Sequence, residues 1–456
     1  MNDTFQRWGT IVLAAGQGKR MRSSLPKVLH PLAGRPMVRH VVEAAREAGF
    51  RRCVVVVGPE AKALRAALGD SVVFAVQPES LGTADAVAKA KEALGDAEHV
   101  LVLNGDVPLI TAETLTTLAR THEERSADLS FLTAQVTGPG EYGLVRRDGD
   151  GRVIGVVEAT ERDAAEGATA EINAGQYCFR ASWLWERLSA VPPSSGGEYY
   201  LTLLVATAVD ERATLVPVSA QADEVRGIND RAQLAEAEAL LRQRINRRHL
   251  LAGVSLTDPA TTYIDAGVTI GRDSVIEPNT YLRGRTSIGE ACHIGPDSTL
   301  RDATVGDRCR IVSSTVEEST LEEEVEAGPY SHARPGSYLC AGVHVGNFAE
   351  IKSSRLGRGV KMGHFSYLGD AEVGDGTNIG AGTITCNFDG LVKHRTVIGR
   401  RAFIASDTML VAPVSVGDGA RTGAGSVVTK DVPAGALAVG APARIVSAGR
   451  REQDVR

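Results

Sequence analysis

The sequence predicts an α/β protein in two parts: an N-terminal domain built on a parallel β-sheet and, after a helical linker, a C-terminal parallel β-helix. Three observations predict this architecture. Apolar strand-like runs alternate with helical patterns in the first half of the chain, a long helical pattern follows, and aliphatic residues then recur at every sixth position. The 456 residues are enough for two or three domains with large cores.

Strand and helix signals alternate over the first hundred residues. Strands that are apolar without interruption are typical of a parallel sheet covered by helices on both faces. Such sheets bind ligands beyond the carboxyl ends of their strands. The predicted strands are 10–14, 53–57, 72–76 and 100–103, and the predicted helices are 37–48, 61–68 and 83–94.

A long helical pattern from Arg231 to Leu251 separates the two halves, and Gly253 follows it. We interpret it as an amphipathic helix that connects two domains. The expected organisation is therefore a first domain at 1–230, a helical linker at 231–252 and a second domain at 253–456.

A six-residue period begins after the linker. It fits neither a helix of 3.6 residues per turn nor an alternating strand, and it is typical of a parallel β-helix of hexapeptide repeats, which we expect to be left-handed. Tight corners and an aliphatic interior explain 49 glycines and an aromatic content of only 5%. The residues predicted to face inward are Ile264, Ile270, Ile276, Leu282, Ile288, Ile294, Leu300, Val305, Ile311, Leu356, Met362, Leu368, Val373, Ile379, Ile398, Ile404, Leu410, Val416, Thr422 and Val428.

One segment interrupts the hexapeptide period. Residues 385–395, TCNFDGLVKHR, lie between Ile379 and Ile398. A loop inserted into a regular repeat is a common place for a functional site.

Composition excludes several classes of protein. Charged residues are 23% and hydrophobic residues 43%, as in soluble globular proteins, and the net charge of −6 argues against a nucleic-acid binder. No apolar run approaches the roughly 20 residues of a membrane helix, and no signal peptide is recognisable. The six cysteines lack metal-ligand spacing, so we expect isolated reduced thiols in a cytoplasmic protein without membrane or nucleic-acid partners.

A glycine-rich segment, LAAGQGKRM, follows the first predicted strand. Gly16 and Gly18 permit backbone amides to approach a phosphate, and Arg20 adds a cation. The segment is not a dinucleotide fingerprint, because Met21 takes the third glycine position, and it is not a Walker A motif. The motif PK follows, and its Lys27 is placed to contact a triphosphate.

These residues resemble the nucleoside-diphosphate-sugar pyrophosphorylases, which transfer a nucleotidyl group to a sugar 1-phosphate. Six further segments, in this order and followed by a hexapeptide half, are similar to the bifunctional N-acetylglucosamine-1-phosphate uridylyltransferase / glucosamine-1-phosphate N-acetyltransferase family. The similarity covers nearly the whole chain. The segments are QPESLGTADA (77–86), LNGDVPL (103–109), EYGLV (141–145), GVVEATE (155–161), EINAGQY (171–177) and VRGIND (225–230).

The resemblance implies a Rossmann-like nucleotidyltransferase domain that binds UTP and UDP-N-acetylglucosamine. Lys27 and Arg20 would neutralise the pyrophosphate leaving group. Asp106 and Asn229 would bind Mg²⁺, which prefers oxygen ligands, and Gln77 would contact the uracil. The implied nucleotide and sugar ligands are Leu13, Ala14, Ala15, Gly16, Arg20, Lys27, Gln77, Gly82, Thr83, Asn104, Gly105, Asp106, Gly143, Glu158, Asn173 and Asn229.

A second site is predicted on the β-helix. His364 stands two residues after the inward Met362, which predicts a position near a corner of a coil. Acetylation of an amine needs a base, and an imidazole that titrates near neutrality suits this role. The resemblance implies that His364 is this base and that the sugar phosphate is bound by Arg334, Lys352, Tyr367 and Asn378. The implied acetyl-CoA ligands are Ala381, Asn387, Phe388, Ser406 and Ala424.

Three positions depart from the family pattern. Lys19 stands where a small hydroxyl residue is usual, and Phe388 replaces a tyrosine. Ala441 aligns with an arginine that lies near the CoA phosphates in the family, and Arg444 is close to it in the sequence.

We therefore expect a homotrimeric enzyme that acetylates glucosamine 1-phosphate with acetyl-CoA and then couples N-acetylglucosamine 1-phosphate to UTP. Such an enzyme supplies a precursor of peptidoglycan and lipopolysaccharide. One alternative is a single-activity sugar nucleotidyltransferase with a regulatory or oligomerising β-helix. A second is a non-catalytic scaffold.

Overall fold

The computed structural model describes residues 5–16, 18–158, 169–194 and 197–447. The chain separates into two compact units, Met1–Leu241 and Arg242–Arg456, and the boundary falls within the linker helix. Within the described ranges, no helix combines the length and the apolar character that a membrane crossing requires.

The described part of the chain as far as the end of the linker contains eleven strands and eight α-helices. The strands are β1 (Trp8–Leu13), β2 (Pro31–Leu32), β3 (Arg35–Pro36), β4 (Arg52–Val57), β5 (Val73–Val76), β6 (His99–Asn104), β7 (Leu129–Thr137), β8 (Leu144–Arg147), β9 (Val153–Val157), β10 (Thr169–Arg180) and β11 (Leu215–Ser219). The helices are α1 (Met37–Glu47), α2 (Lys62–Leu68), α3 (Thr83–Lys89), α4 (Lys91–Leu94), α5 (Ala112–Glu124), α6 (Ala181–Leu188), α7 (Leu203–Asp210) and α8 (Arg231–Leu251).

The central sheet has the strand order β11-β7-β10-β6-β1-β4-β5, with β8 and β9 attached beside β10. Strands β6, β1, β4 and β5 are parallel, as predicted. Strand β10 is antiparallel to both of its neighbours, so the sheet is mixed rather than wholly parallel. A sheet of this kind still presents the carboxyl ends of β1, β4, β5 and β6 along one edge.

Alternate side chains of the central strands enter two separate cores, one on each face of the sheet. On β4, Val55 and Val57 pack with helices α1, α2 and α5, whereas Val54 and Val56 pack with α3, α6 and α7. Each fully buried valine contributes about 1.5–3 kcal/mol relative to an exposed one. This two-sided burial explains why the strands are continuous apolar runs.

Two helix predictions need correction. The helix expected at 83–94 is two helices, because α3 ends at Lys89 and α4 begins at Lys91. Helix α8 has the predicted bounds, but it is not simply amphipathic. Leu251 is 75% exposed, while Asn246 and His249 are buried.

The second unit is a parallel β-helix, which confirms the fold prediction. Its strands form three ladders, one for each face of the coil. Face 1 consists of Ser255–Leu256, Val275–Ile276, His293–Ile294, Arg310–Ile311, Glu326–Ala327, His344–Val345, Lys361–Met362, Asn378–Ile379, Phe403–Ile404, Arg421–Thr422, Leu437–Gly440 and the antiparallel Ala443–Ser447. Face 2 consists of Tyr263–Ile264, Tyr281–Arg283, Thr299–Arg301, Thr315–Glu317, His332–Ala333, Ala349–Lys352, Ser366–Gly369, Ile384–Cys386, Met409–Val411 and Val427–Val428. Face 3 consists of Thr269–Ile270, Ser287–Ile288, Thr304–Val305, Thr320–Leu321, Tyr338–Leu339, Arg355–Leu356, Ala371–Val373, Thr396–Ile398 and Val414–Val416.

The residues predicted to face inward are buried, except for the half-buried Ile270. The gap in the predicted series between Ile311 and Leu356 is not a break in the fold, since the inward stack continues through it. Shorter steps between Ile311, Val316 and Leu321 hid the period. The residues that fill the gap are Val316, Leu321, Ala327, Ala333, Leu339, Val345 and Ile351.

Glycine is required where coils stack closely at a corner. A Cβ on Gly289 would lie 2.3 Å from the Asp307 carboxylate. The expectation of isolated thiols is wrong for one pair, because Cys292 and Cys309 lie on adjacent coils. The neighbouring Cys309 thiol lowers the pKa of Cys292. All six cysteines are free.

Candidate functional site

The segments that follow β1, β5 and β6 meet at the carboxyl edge of the sheet. Leu13 and Asn104 pair in register at the ends of β1 and β6. The Gly105 amide donates to the Leu13 carbonyl at 2.9 Å, and a Cβ on Gly105 would lie only 2.8 Å from that oxygen. The Gln77 amide likewise donates to the Val57 carbonyl at 2.8 Å. The glycine-rich loop, the QPESLG segment and the NGD segment therefore share one edge.

Two of the cavities at this edge, with volumes of about 310 and 610 Å³, share part of their lining. Both are lined by Leu13, Thr83, Asn104 and Asp106, so they join beside the Asp106 carboxylate. Among the predicted residues, Gly105 lines neither cavity. The predicted residues that line only the smaller cavity are Ala14, Ala15, Gly16, Lys27, Gln77 and Gly82. The predicted residues that line only the larger cavity are Arg20, Gly143, Glu158, Asn173 and Asn229.

Three predicted residues meet where the two cavities join. The Lys27 ammonium contacts the Asp106 carboxylate and donates to Asn229 Oδ1 at 2.9 Å. Lys27 and Asp106 are both largely buried, with side-chain exposures of 13% and 23%. Two oxygen atoms from distant parts of the chain therefore converge on a single cation as acceptors.

Arg20, predicted to add a cation to the glycine-rich loop, is paired with Glu141. This hydrogen-bonded pair raises the pKa of Arg20 and holds the pKa of Glu141 below its ordinary value. Both residues line the larger cavity. Sequence analysis did not identify Glu141 as part of the site.

The Gln77 side chain has a defined orientation. Its Nε2 donates to the Gly82 carbonyl at 3.0 Å and to Asp85 Oδ2 at 2.9 Å, which directs Oε1 the other way as an acceptor. Gly82 has φ +102°, and a Cβ there would lie 2.6 Å from the Tyr199 carbonyl oxygen. Only glycine fits between Gln77 and this neighbouring backbone.

The far end of the larger cavity is held by two residues that sequence analysis missed. Asn173 Nδ2 donates to the Tyr177 hydroxyl at 2.5 Å, across an irregularity in the β10 ladder. The Thr202 hydroxyl donates to Glu158 Oε1 at 2.5 Å. These contacts orient the Asn173 amide and the Glu158 carboxylate. Neither partner has a local sequence signal. Tyr177 reaches Asn173 because the β10 ladder is irregular between them, and Thr202 is far from Glu158 along the chain.

On the β-helix, four predicted residues form one column along the corner that follows face 1. Lys361, Asn378, Phe403 and Arg421 are register partners on successive coils. Each member of the corner column lies three residues after one of these register partners. Because adjacent strands lie about 4.8 Å apart, the four members span roughly 14 Å. The members are His364, Ala381, Ser406 and Ala424.

His364 is exposed at the amino-terminal end of the corner column, not sealed inside the coil. The Ala381 carbonyl accepts from the Asp407 amide at 2.7 Å, and the Ser406 carbonyl accepts from the Gly425 amide at 2.9 Å. These contacts fix the spacing of the coils along the column. An elongated ligand lying on it would end beside the imidazole.

Three cations gather on face 2. Arg334 and Lys352 stand on adjacent coils, where the Arg334 amide donates to the Ile351 carbonyl at 2.8 Å, and Arg334 is also paired with Glu350 at 2.8 Å. Lys393, from the inserted loop, lies against Lys352. The positive charge of Lys393 beside Lys352, reinforced by that of Arg334, lowers the pKa of Lys352. Sequence analysis missed Lys393. Crowded like charges of this kind favour a bound anion.

Tyr367 and Asn387 lie beside this cation cluster. Gly369 is the register partner of Lys352, and a Cβ there would lie 2.3 Å from the Tyr367 hydroxyl and 2.7 Å from Asn387 Nδ2. The absence of a side chain at Gly369 thus lets both groups approach the cluster. Asn387 also donates to Asp370 at 2.5 Å, so the start of the inserted loop is fixed.

Two predicted residues stand apart from the cation cluster. Asn378 lies on face 1, three residues before Ala381, rather than on face 2. The Phe388 side chain is 58% exposed, and its backbone bridges Lys393 across the loop. Asp389 stiffens the loop, because it accepts from the Leu391 and Val392 amides and pairs with His394.

A nucleotide-type cavity at the edge of an α/β sheet, combined with a histidine beside a cation cluster on a hexapeptide β-helix, defines a two-site transferase. A family model described as a MobA-like NTP transferase domain matches residues 10–198, and one described as the hexapeptide repeat of succinyl-transferase matches residues 395–430.

Curated relatives are similar to the chain over nearly its full length. The bifunctional protein GlmU of Pelobacter propionicus is 47% identical over 436 residues, covering 94% of this chain and 95% of the relative. The GlmU of Heliobacterium modesticaldum is 46% identical over 433 residues, covering 94% of each. The chain belongs to the GlmU family of bifunctional proteins. It is a bifunctional uridylyltransferase and acetyltransferase, which confirms the two-activity prediction over the single-activity and scaffold alternatives.

Proposed function

We propose that the β-helix transfers the acetyl group of acetyl-CoA to glucosamine 1-phosphate, and that the first domain couples N-acetylglucosamine 1-phosphate to UTP with release of pyrophosphate. The observation that carries this proposal is the pairing of two joined cavities around Asp106 with a histidine at the end of the corner column. We assign the acetyl transfer to residues 253–456 and the nucleotidyl transfer to residues 1–230. Residues 231–252 link the two domains.

In the nucleotidyl site, the smaller cavity suits the nucleotide and the larger one the sugar phosphate. Gln77 Oε1 is directed as an acceptor, which matches the N3–H of uracil. The oriented Asn173 amide and Glu158 carboxylate suit sugar hydroxyls and the acetamido group. A phosphate oxygen of the sugar phosphate attacks the α-phosphorus in line, and pyrophosphate leaves. Lys27 and Arg20 stabilise the leaving charge, with Arg20 released from Glu141.

The residues of this site fit a divalent cation, which we propose is Mg²⁺. Asp106 Oδ2 and Asn229 Oδ1 already converge on the Lys27 ammonium, so both oxygens can face one metal ion. Two protein oxygens leave room for phosphate and water ligands, as Mg²⁺ prefers. When bound, the metal would offset negative charge on the triphosphate. The protein residues hold the substrates in line and keep Lys27 near the phosphates.

In the acetyl site, Arg334, Lys352 and Lys393 form an anion site for the sugar phosphate. Tyr367 and Asn378 contact the sugar, and the pantetheine arm follows the corner column past Ala381, Ser406 and Ala424. Asn387 and Phe388 flank the thioester end. His364 removes a proton as the amine nitrogen attacks the thioester carbon, and the thiol of CoA leaves.

Paired variants test this assignment. His364→Ala should abolish thiol release from acetyl-CoA and leave pyrophosphate release from UTP unchanged. Asp106→Ala should do the reverse. Loss of both activities in either variant, or survival of thiol release in His364→Ala, would contradict the division of labour.

We also propose that the protein acts as a cytoplasmic homotrimer in which a neighbouring copy completes the acetyl site. The exposure of His364, Ser406 and Ala424 on the isolated chain supports this assembly. Sedimentation equilibrium should give three times the chain mass of 48.1 kDa. A monomer with full acetyl transfer would contradict it.

A further inference from the structure

The β-helix changes the sign of its charge near its carboxyl end. Residues 253–398 contain thirteen basic and nineteen acidic side chains, whereas residues 399–447 contain five basic and three acidic ones. Two of those three acids are engaged with backbone amides, Asp418 with Arg400 and Asp431 with Ser415. The last coils therefore present a positive surface that a polyanion would meet.

Among the described basic residues of these coils, Arg421 has a side chain with a defined contact. Its guanidinium lies over the Phe403 ring, 5.7 Å from the ring centroid. Most arginines of the earlier coils with a defined contact pair with a carboxylate, as Arg272 does with Glu290. Among the residues that the structure describes, Arg421 pairs with no carboxylate, so its charge is available to a ligand.

Arg421 lies close to one end of the corner column. It stands on face 1, three residues before Ala424, and its ring partner Phe403 stands three residues before Ser406. The next rung begins at Leu437, the register partner of Arg421, and Arg444 pairs with Val439 on the same rung. Arg421 and the exposed Arg444 therefore lie beside the end of the column that is opposite to His364.

We propose that Arg421 binds the phosphates at the nucleotide end of acetyl-CoA, with Phe403 as a positioning residue and Arg444 as a second cation. This inference rests on the proposed acetyl-CoA path along the corner column. Once the thioester lies beside His364, the phosphorylated end of the molecule must lie near the last coils. A guanidinium pairs with phosphate oxygens through two parallel hydrogen bonds, and an arginine already held over a ring has less freedom to lose on binding. Ala441 carries no charge for this role.

The test compares two acetyl donors that differ only at this end. Acetyl-CoA carries the phosphorylated nucleotide, and S-acetylpantetheine lacks it. In Arg421→Ala, the KM for acetyl-CoA in thiol release should rise about tenfold, because a charge-assisted contact is lost. The KM for S-acetylpantetheine and the KM for glucosamine 1-phosphate should not change. Phe403→Leu should raise the KM for acetyl-CoA by a smaller factor, and Phe403→Tyr should restore it.

Arg285→Ala is the matched control, since Arg285 is an exposed arginine on an earlier coil. It should leave every KM unchanged. An unchanged KM for acetyl-CoA in Arg421→Ala, or an equal rise for both donors, would overturn the Arg421 assignment alone. Absence of thiol release from the unmodified chain with both donors would overturn the proposed function, and the Arg421 assignment with it.

Discussion

The Lys27 ammonium is bound to the carboxylate of Asp106, and the same nitrogen donates to Asn229 Oδ1 at 2.9 Å. One positive charge thus occupies the point between the two residues that we propose as metal ligands. Lysine and a divalent cation are alternative partners for the same oxygens. We expect bound substrate phosphates to draw the lysine away from these oxygens.

Lys27→Ala should therefore separate metal binding from turnover. Without the competing ammonium, Mn²⁺ alone should bind about tenfold more tightly, measured by the loss of its free electron-paramagnetic-resonance signal. Pyrophosphate release should fall by about 100-fold, because a cation that faces the leaving group is lost.

Lys19→Ala is the control for this prediction, since Lys19 is an exposed lysine of the same loop. It should change neither Mn²⁺ affinity nor turnover by more than a small factor. If Lys27→Ala binds Mn²⁺ no better than the unmodified chain, the competition argument is wrong. If Asp106→Asn also binds Mn²⁺ normally, the metal site lies elsewhere.

Gly82→Ala should weaken nucleotide binding through the backbone. The new Cβ would lie 2.6 Å from the Tyr199 carbonyl oxygen at a φ of +102°, so the segment that orients Gln77 must move. Strain of about 1–3 kcal/mol corresponds to a rise in the KM for UTP of roughly 5- to 150-fold. Thiol release should be unaffected. Gly149→Ala, where a Cβ meets nothing within 4 Å, is the control. An unchanged KM for UTP in Gly82→Ala would show that this segment does not contact the nucleotide.

The sequence predicts the architecture because each of its signals is local. Ile276 and Leu282 face inward for the same reason as every other sixth residue, and Asp106 reaches the site because it directly follows a strand. The same reasoning fails where contacts depend on distant segments or on an irregular strand. Lys393 meets Lys352 only because the inserted loop folds back over earlier coils. Tyr177 reaches Asn173 only because the β10 ladder is irregular between them.

Sequence alone also could not show which charges neutralise one another. Arg20 and Lys27 look like two equivalent cations in the loop sequence, yet one is held by Glu141 and the other by Asp106. The motif positions carry a signal in the sequence, whereas the partners that orient them carry none. Gly369 illustrates the difference, since its need for glycine comes from Tyr367 and Asn387 in the folded coil.

Binding of the sugar phosphate should weaken at alkaline pH, and Lys393 should control where this happens. Lys393 and Arg334 lower the pKa of Lys352, so the free protein loses this proton earlier than an isolated lysine would. A bound phosphate favours the protonated form. Affinity is therefore complete below the pKa of free Lys352 and falls as the pH rises through it.

In Lys393→Ala, the fall in affinity should move to higher pH, because the main cause of the lowered pKa is removed, while affinity at neutral pH decreases. The KM for glucosamine 1-phosphate as a function of pH measures both effects. Lys361→Ala, an exposed lysine on face 1, should leave the pH profile in place. An identical profile in Lys393→Ala would contradict the coupling of the two lysines.

The first unit should lose stability as the pH falls, and His122 should account for part of the loss. His122 is fully buried, its ring packs against those of Trp8 and His99, and its Nδ1 shares a hydrogen bond with Ser130 at 3.0 Å. Burial, followed by the charges of His99 and Arg180, lowers the pKa of His122 to about 3, from an ordinary value of 6.5. Below pH 6.5 the unfolded chain binds a proton that the folded chain excludes. Stability is therefore complete above about pH 6.5 and decreases as the pH falls toward 3.

His122 should contribute about 1.4 kcal/mol per pH unit to the slope below pH 6.5. His122→Phe should remove it while keeping the ring contacts, although the free energy of unfolding is lower at every pH because Ser130 loses its partner. All three tryptophans lie in the first unit, so their fluorescence during urea unfolding reports on this unit. His249→Phe removes a buried histidine of the second unit, whose pKa is lowered to about 4, and should not change the tryptophan-detected slope. Equal slopes in His122→Phe and the unmodified chain would mean that His122 is already protonated in the folded state near pH 6.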